Sequence, residues 1–319
     1  MKIYNLAFLL LFQFPFASNE RLEFPASSPI TDSQQKLNRN KSGVINIVFK
    51  STDGGQTWQD ISEGLPENLQ ADGFFANDSG LYLRAGNGIY HSKPNSTVPF
   101  WKKEIFPDEH CMQISQSYKG QCLDGQCLQK IDGTSVWVRT VFQTAGGTVF
   151  IGSDNGLFKS TNSGKTWKQV HTEGWIMKLV ESNGVLLATS QGGILRSTDD
   201  GENWDLVISE GGVGIAVERI KGGFAAITYN TKSETRRVRT SYDGGKTWQP
   251  IDADLTASLS IASIIEVGEY FFCGHPTGIF RSSDKGKTWK LLLPSIENKV
   301  FNLSVSGNVI YAIPRGGGC

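Results

Sequence analysis

A carboxylate recurs at one position of a repeated eight-residue segment, and carboxylates are candidate metal ligands and acid catalysts. The pattern is S-x-D-x-G-x-T-W, and it occurs at residues 51–58, 160–167, 197–204, 241–248 and 282–289. Its third residues are Asp53, Asn162, Asp199, Asp243 and Asp284. Asn162 keeps the acceptor oxygen without the charge, so we interpret this position as a hydrogen-bond acceptor that closes a turn. Copies spread along the chain cannot converge on one site, and we therefore expect no metal there.

Other nucleophilic and metal-binding chemistry is poorly supported. The chain has only four histidines, none in the context of a catalytic triad, and no glycine-rich phosphate loop before a helix, so we expect no cofactor. Cys111, Cys122 and Cys127 cluster within one segment and predict a disulfide, as Cys122–Cys127 or as Cys111–Cys127. The alternatives are free thiols, or a zinc site with His110 as its fourth ligand.

The segments around each repeat predict the elements that position it. A glycine at the fifth position permits a backbone conformation that side chains disfavour, and the final Trp returns to the core. Three runs of alternating apolar residues precede each repeat and one follows it, which predicts a unit of four antiparallel strands. The final tryptophans are Trp58, Trp167, Trp204, Trp248 and Trp289.

A sixth, degenerate unit ends at Trp101, where prolines replace the repeat turn. Residues 300–313 read as the first two strands of a unit, and residues 45–58 as its last two. Joining the two ends closes a ring of six units within residues 44–319, with an insertion at about 107–135. A seventh unit hidden at residues 112–128 is an alternative that the sequence leaves open.

The octapeptide resembles the Asp-box (BNR) repeat of sialidase-like, sortilin-type and photosystem II assembly-factor-like β-propellers. The resemblance implies an all-β, six-bladed propeller of four-stranded antiparallel blades. It does not imply one activity, because proteins with such boxes differ in function. Sialidases carry an Arg-Ile-Pro stretch near the start of the propeller, and this chain has none. Enzymatic activity is left open and not favoured; a glycosidase with a non-standard site is the alternative to a binding module.

The N-terminal residues and the charge balance indicate where the protein is located and which partners it binds. Lys2, the apolar residues 3–16 and the small residues Ala17 and Ser18 predict a signal peptide over 1–18, followed by a flexible segment over 19–43. The apolar stretch is too short to span a membrane. We therefore expect a secreted or periplasmic protein. Lys+Arg and Asp+Glu are balanced at 31 each, so we expect no nucleic-acid partner. The oligomeric state is not indicated.

The loops between the second and third strands of the units vary, and they emerge opposite the Asp boxes. Polar groups from separate blades around one mouth are typical of a ligand site, here for a protein or a glycan. Two adjacent arginines in the segment 230–237, which reads as a long loop, favour an anionic group. The candidate ligand-binding residues are Arg84, Asn87, Asp154, Gln191, Arg236, Arg237, His275 and Arg315.

Overall fold

A computed structural model describes residues 46–66, 69, 73–77, 80–85, 88–92, 101–104, 127–131 and 133–316. The regular structure in these residues is entirely β, with 25 strands in six antiparallel sheets. The all-β, six-bladed β-propeller predicted from the repeats is confirmed. The predicted signal peptide, the segment 19–43, Asn87, Cys111 and Cys122 lie outside the described residues, as does the side chain of Cys127.

Each blade is one sheet that runs from an innermost to an outermost strand. From the inside outward, blade 1 has β24 (Val300–Ser306), β25 (Val309–Arg315), β1 (Phe49–Ser51) and β2 (Gln59–Asp60). Blade 2 has β3 (Gly73–Asn77), β4 (Gly80–Ala85), β5 (Gly88–Ser92) and β6 (Lys102–Glu104). Blade 3 has β7 (Cys127–Ile131), β8 (Thr134–Gln143), β9 (Val149–Ser153), β10 (Gly156–Ser160) and β11 (Lys168–His171).

The other three blades have four strands each, in the same inside-to-outside order. Blade 4 has β12 (Ile176–Ser182), β13 (Val185–Ser190), β14 (Gly193–Ser197) and β15 (Asp205–Ile208). Blade 5 has β16 (Gly211–Ile220), β17 (Gly223–Asn230), β18 (Thr235–Ser241) and β19 (Gln249–Pro250). Blade 6 has β20 (Ser263–Val267), β21 (Tyr270–His275), β22 (Gly278–Ser282) and β23 (Lys290–Pro294).

The two ends of the described chain share blade 1, as the sequence predicts. Strand β1 pairs antiparallel with β25, with Phe49 opposite Ala312. The Phe49 ring then meets Phe301 of β24 edge to face at 6.1 Å between centroids. Strands from both ends therefore build one sheet, so the first and last repeats leave no open sheet edge between them.

Two blades extend beyond the regular unit. In blade 3, β7 pairs with the first half of β8 as a fifth, innermost strand, so Cys127 and Leu128 belong to this blade and to no seventh one. In blade 5, the loop predicted over 230–237 is shorter. Tyr229 pairs with Arg236 and Asn230 with Thr235, which leaves only residues 231–234 outside the strands. Strands β17 and β18 pair up to Asn230 and Thr235, and this pairing shortens the loop.

The Asp boxes fold as hydrogen-bonded turns that pack on the preceding blade. In blade 4, Asp199 Oδ1 accepts from Asn203 N at 3.0 Å, and Gly201 N donates to Ser197 Oγ at 3.0 Å. Asn162 makes the equivalent contact, because its Oδ1 accepts from Thr166 N at 2.9 Å. Gly201 has a φ of 76° and lies against Phe150 of blade 3. The box glycines of blades 1 and 5 likewise lie against side chains of the preceding blade, so these boxes are also inter-blade contacts.

The terminal tryptophans are buried to different extents. Trp58, Trp101 and Trp289 are buried at 7–8% exposure, and Trp167, Trp204 and Trp248 are half-buried. Trp101 Nε1 donates to Ile61 O, in the connection from blade 1 to blade 2, at 2.9 Å. The degenerate unit therefore holds its terminal tryptophan by a hydrogen bond although it has no Asp box.

Candidate functional site

Antiparallel pairing places two kinds of turn at opposite ends of every blade. We define the box face as the end that carries the Asp boxes and the turns between first and second strands. The loop face carries the turns between second and third strands, such as Asp154–Asn155 and Gln191–Gly192, and the connections between blades. The candidate ligand residues in the described part of blades 3 to 6 lie at this loop face.

Arg236, Arg237 and His275 come together around one connection. Residues 251–262 join blade 5 to blade 6, and the three side chains bind it from both blades. Arg236 Nη1 donates to Ile261 O at 2.9 Å, and His275 Nε2 lies 2.8 Å from Thr256 O. His275 Nδ1 lies 2.8 Å from Thr277 Oγ1, and burial lowers the pKa of this imidazole. The structure thus gives these three residues partners within the chain.

Arg237 forms a two-pronged ion pair with a buried carboxylate. Its Nε and Nη2 lie 2.8 and 3.0 Å from the two oxygens of Asp252, whose side chain is only 6% exposed. Val238 N donates to the same carboxylate at 2.8 Å. The hydrogen bonds to Asp252 raise the pKa of the Arg237 guanidinium. Two residues along the same strand, Arg239 pairs with Glu210.

Arg315 and Arg84 lie in blades 1 and 2. Arg315 is the last residue of β25, and its Nε and Nη1 lie 3.1 and 3.3 Å from the side-chain oxygen of Asn302 when that amide is oriented to accept. For Arg84 only the backbone is described, in β4 opposite Gly73. The ligand-binding role of these residues stays a prediction.

Asp154 and Gln191 flank one boundary, which we call the blade 3–4 seam and define by Trp137, Arg139, Asp154, Trp175 and Gln191. Arg139 forms an ion pair with Asp154, and its guanidinium lies 5.7 Å from the centre of the Trp175 ring. Asp154 N donates to Trp137 O at 3.3 Å, and Gln191 N to Trp175 O at 3.2 Å. Trp137 itself is 47% exposed. The seam therefore presents aromatic and charged groups side by side.

Trp137, Arg139 and Trp175 were not among the residues predicted from the sequence. The sequence does contain a signal that could have identified the two tryptophans. Six of the eight tryptophans end a blade, and only Trp137 and Trp175 do not. A large aromatic residue that the repeat does not require calls for another explanation. Both of these tryptophans lie at the loop face, on either side of the same blade boundary.

The outer part of the same boundary holds a cleft of ≈ 400 Å³. It opens between β11 of blade 3 and the outer strands of blade 4, and its lining includes His171, Glu173, Leu195 and Leu206. His171 ends β11 and Glu173 belongs to the connection that leads to Trp175, so the cleft and the seam are continuous along the chain.

The two described carboxyl groups with raised pKa lie at opposite edges of their sheets, on the outermost strand β2 and the innermost strand β20. Burial raises the pKa of Asp60 in blade 1 and of Glu266 in blade 6. Among the described residues, no group of three or more His, Cys, Asp or Glu side chains could hold a metal ion. No helix in that part of the chain is long and apolar enough to cross a membrane.

Comparison with known proteins agrees with the repeat. The family model for the BNR/Asp-box repeat matches residues 49–60 and 239–250. A search of curated proteins found no significant match. Among solved structures, the chain is similar to a GH74 xyloglucanase from Xanthomonas campestris, at 15% identity over 78% of this chain and 51% of that one, with a TM-score of 0.40. The chain thus spans about half the length of that enzyme.

Two further structures are similar over most of their own length. A gluconolactonase from Xanthomonas campestris has 8% identity over 77% of this chain and 86% of that one, with a TM-score of 0.45. A chain of a nidogen/laminin complex has 11% identity over 67% and 76%, with a TM-score of 0.40.

Proposed function

We propose, from the premise that this chain is an Asp-box repeat β-propeller, that it is an exported binding module. Its loop face engages a protein or glycan partner. The observation that carries this proposal is the uneven distribution of departures from the repeat. The β7–β8 hairpin, the long β17–β18 hairpin and the connection 251–262 all extend the loop face, whereas the described boxes keep one hydrogen-bonded geometry.

Exposed apolar side chains support the same face. Trp137, Met177 and Leu259 are 47%, 42% and 56% exposed, and all three lie at its end of their blades. Trp, Met and Arg are enriched in protein interfaces, and Trp and Arg dominate binding hot spots. Trp137 with Arg139 and Met177 has this composition. We infer that the blade 3–4 seam is the centre of the contact.

The ion pairs that the loop-face carboxylates form with arginines favour a binding function over glycoside hydrolysis. A glycosidase needs two carboxyl groups about 5–9.5 Å apart across one sugar. Asp154, Glu210 and Asp252 on the loop face are each paired with an arginine of this chain. Asp60 and Glu266, whose pKa values are raised as an acid catalyst requires, lie on the outermost strand of blade 1 and the innermost strand of blade 6.

The test compares one aromatic residue on each face. Trp137→Ala removes the exposed ring of the seam, and Tyr242→Ala removes a ring of similar exposure, 49%, from the box face. Partners are first identified with the wild-type mature chain on a glycan array and by cross-linking to proteins of the exported fraction. Affinity for the partner found is then measured for all three proteins.

We expect Trp137→Ala to weaken binding by about 30-fold, the effect of losing a hot spot of about 2 kcal/mol. Tyr242→Ala should bind like the wild type, and both variants should keep the wild-type unfolding midpoint. The reverse pattern, with binding lost only in Tyr242→Ala, would place the contact on the box face and end the proposal. Export is checked separately by N-terminal sequencing, which should begin after Ser18.

A further inference from the structure

The cleft at the outer end of the blade 3–4 boundary has the size of a small-molecule site. Its volume is ≈ 400 Å³. Pockets for small ligands hold about 300–1,000 Å³, whereas a folded partner covers a broad surface. The cleft therefore accommodates a small molecule or a single side chain. Its ligand differs in kind from the folded partner proposed for the loop face.

One wall of the cleft is apolar. Leu195 and Trp204 line it, together with Leu206, which is 46% exposed although it is a large aliphatic residue. Trp204 is held in place because its Nε1 donates to Gly201 O at 3.0 Å. The apolar part of a ligand can pack on this fixed wall. The gain is roughly 25 cal/mol for each Å² of apolar surface removed from water.

The polar wall offers mainly hydrogen-bond acceptors. His171 Nε2 lies 3.1 Å from Glu173 O, so Nε2 is the donor to this carbonyl oxygen. Gln169 Nε2 donates to Asn155 O at 2.7 Å, which directs its Oε1 elsewhere. Glu173 is exposed and ends in a carboxylate.

Donors are scarce in the same lining. Ser190 Oγ donates to Gly193 O at 3.1 Å and accepts from Gly192 N at 3.3 Å. Besides the His171 ring, the hydroxyl of Thr172 and the second N–H of the Gln169 amide are the remaining side-chain donors among the described residues that line the cleft, and none of those residues is Lys or Arg. The cleft therefore combines one negative charge, several acceptors and an apolar wall.

We propose that this cleft binds an organic cation, an ammonium or guanidinium group carried on an apolar body. Such a group brings only donors, which match the acceptors, and its charge complements Glu173. The apolar body lies against Leu206 and Trp204. The same chemistry is supplied by a free amine or by the side chain of a Lys or Arg residue of a peptide.

Other ligand classes fit this inventory less well. An anion meets the charge of Glu173 and has no Lys or Arg among the described lining residues to pair with. Each hydroxyl of a neutral polyol brings an acceptor as well as a donor, and an acceptor left without a partner on burial costs about 1–3 kcal/mol. A cation leaves no such acceptor unsatisfied.

Three probes with the same ring and different head groups test the proposal. Cyclohexylamine, cyclohexanol and cyclohexanecarboxylate are titrated into the mature chain. The methyl NMR signals of Leu195, Leu206 and Val170, which also lines the cleft, are followed. We expect cyclohexylamine to shift these signals and to bind at least about threefold more tightly than either other probe. Glu173→Gln, which keeps the shape and removes the charge, should weaken amine binding by about two- to fivefold, as losing one exposed ion pair would.

Glu234→Gln is the matched control, because it removes one exposed carboxylate of the loop face in blade 5. It should leave amine binding unchanged. Equal affinity for the three probes, or full amine affinity in Glu173→Gln, would overturn the proposal. A fourth titration with N-acetyl-lysine methylamide distinguishes the sources: binding that matches cyclohexylamine supports a peptide side chain, and weaker binding supports a free amine as the ligand.

Discussion

Replacing Gly201 with Ala tests whether the Asp boxes hold neighbouring blades together. Gly201 is the fifth residue of the blade 4 box, with a φ of 76°. A Cβ atom there would lie 2.6 Å from Phe150 Cε1 of blade 3, far inside van der Waals contact, and 3.3 Å from Trp204 Cζ2. The substitution therefore adds two costs, an unfavourable backbone conformation and an overlap between blades.

Gly184 separates these two costs. It lies in the first turn of the same blade with a φ of 74°, and a Cβ there would meet no atom within 4 Å. Gly184→Ala thus carries the backbone term alone, about 1–2 kcal/mol, reduced by the lower entropy of the unfolded chain. Gly201→Ala adds overpacking of about 1–3 kcal/mol. We expect total destabilisations of about 1 kcal/mol for Gly184→Ala and about 2–4 kcal/mol for Gly201→Ala.

The assay is urea unfolding of the two variants and the wild type, followed by circular dichroism. Phe150→Leu in the Gly201→Ala background should recover part of the loss, because it removes the ring atoms that the new methyl group meets. The coupling between the two changes is read from a double-mutant cycle. Equal destabilisation by the two Gly→Ala changes, or no coupling to Phe150, would refute the idea that the box wedges against the neighbouring blade.

Three further perturbations test the ion pair at the loop face, the box carboxylate and the closure of the ring. Asp252→Ala should destabilise by about 2–3 kcal/mol in urea, because Arg237 and a backbone N–H lose a charged partner; unchanged stability would contradict this. The Thr288 hydroxyl and backbone lower the pKa of Asp284 from 3.8 to about 2, so its contribution is present above pH 3.8 and lost as the pH falls through about 2. Asp284→Asn should remove that part of the acid dependence of unfolding, as the native Asn162 implies; an unaltered profile would count against it. Deleting residues 300–319 should expose sheet edges and give aggregates in size-exclusion chromatography, whereas a monomer with an unchanged melting temperature would contradict ring closure.

The fold could be predicted because its determinants are local and repeated. A box of eight residues fixes a turn through its own hydroxyl and carboxylate groups, such as Asp243 with Thr247. The strands on either side alternate apolar residues, and six such units leave one arrangement that closes. Blade 5 shows where this reasoning ends, because the polar residues Thr235, Arg236 and Arg237 extend a strand only through pairing with Thr228, Tyr229 and Asn230.

The candidate site could be predicted only as a face, because its side chains depend on partners without a sequence pattern. Arg237 reads as an exposed loop cation, yet its partner Asp252 lies in a connection with no periodic signal. His275 likewise depends on Thr256, from the same connection. Whether a charged group faces a ligand or a neighbour is decided by such irregular segments, so one sequence cannot give the answer.

Hydrogen bonds and ion pairs between neighbouring blades reduce the number of charged residues that are candidates for ligand binding. The residue before the box serine is a cation in four of the five boxes, and in blades 3, 4 and 6 it reaches the next box along the ring. Lys159 is buried against Glu202 at 2.8 Å, Arg196 Nε donates to Gly244 O at 2.7 Å, and Arg281 Nη1 donates to Gly54 O at 2.9 Å. Charge at these repeated positions therefore contributes to ring assembly. Trp137 lies outside the repeat and is 47% exposed, and for that reason it is a stronger candidate for contact with a partner than these cations are.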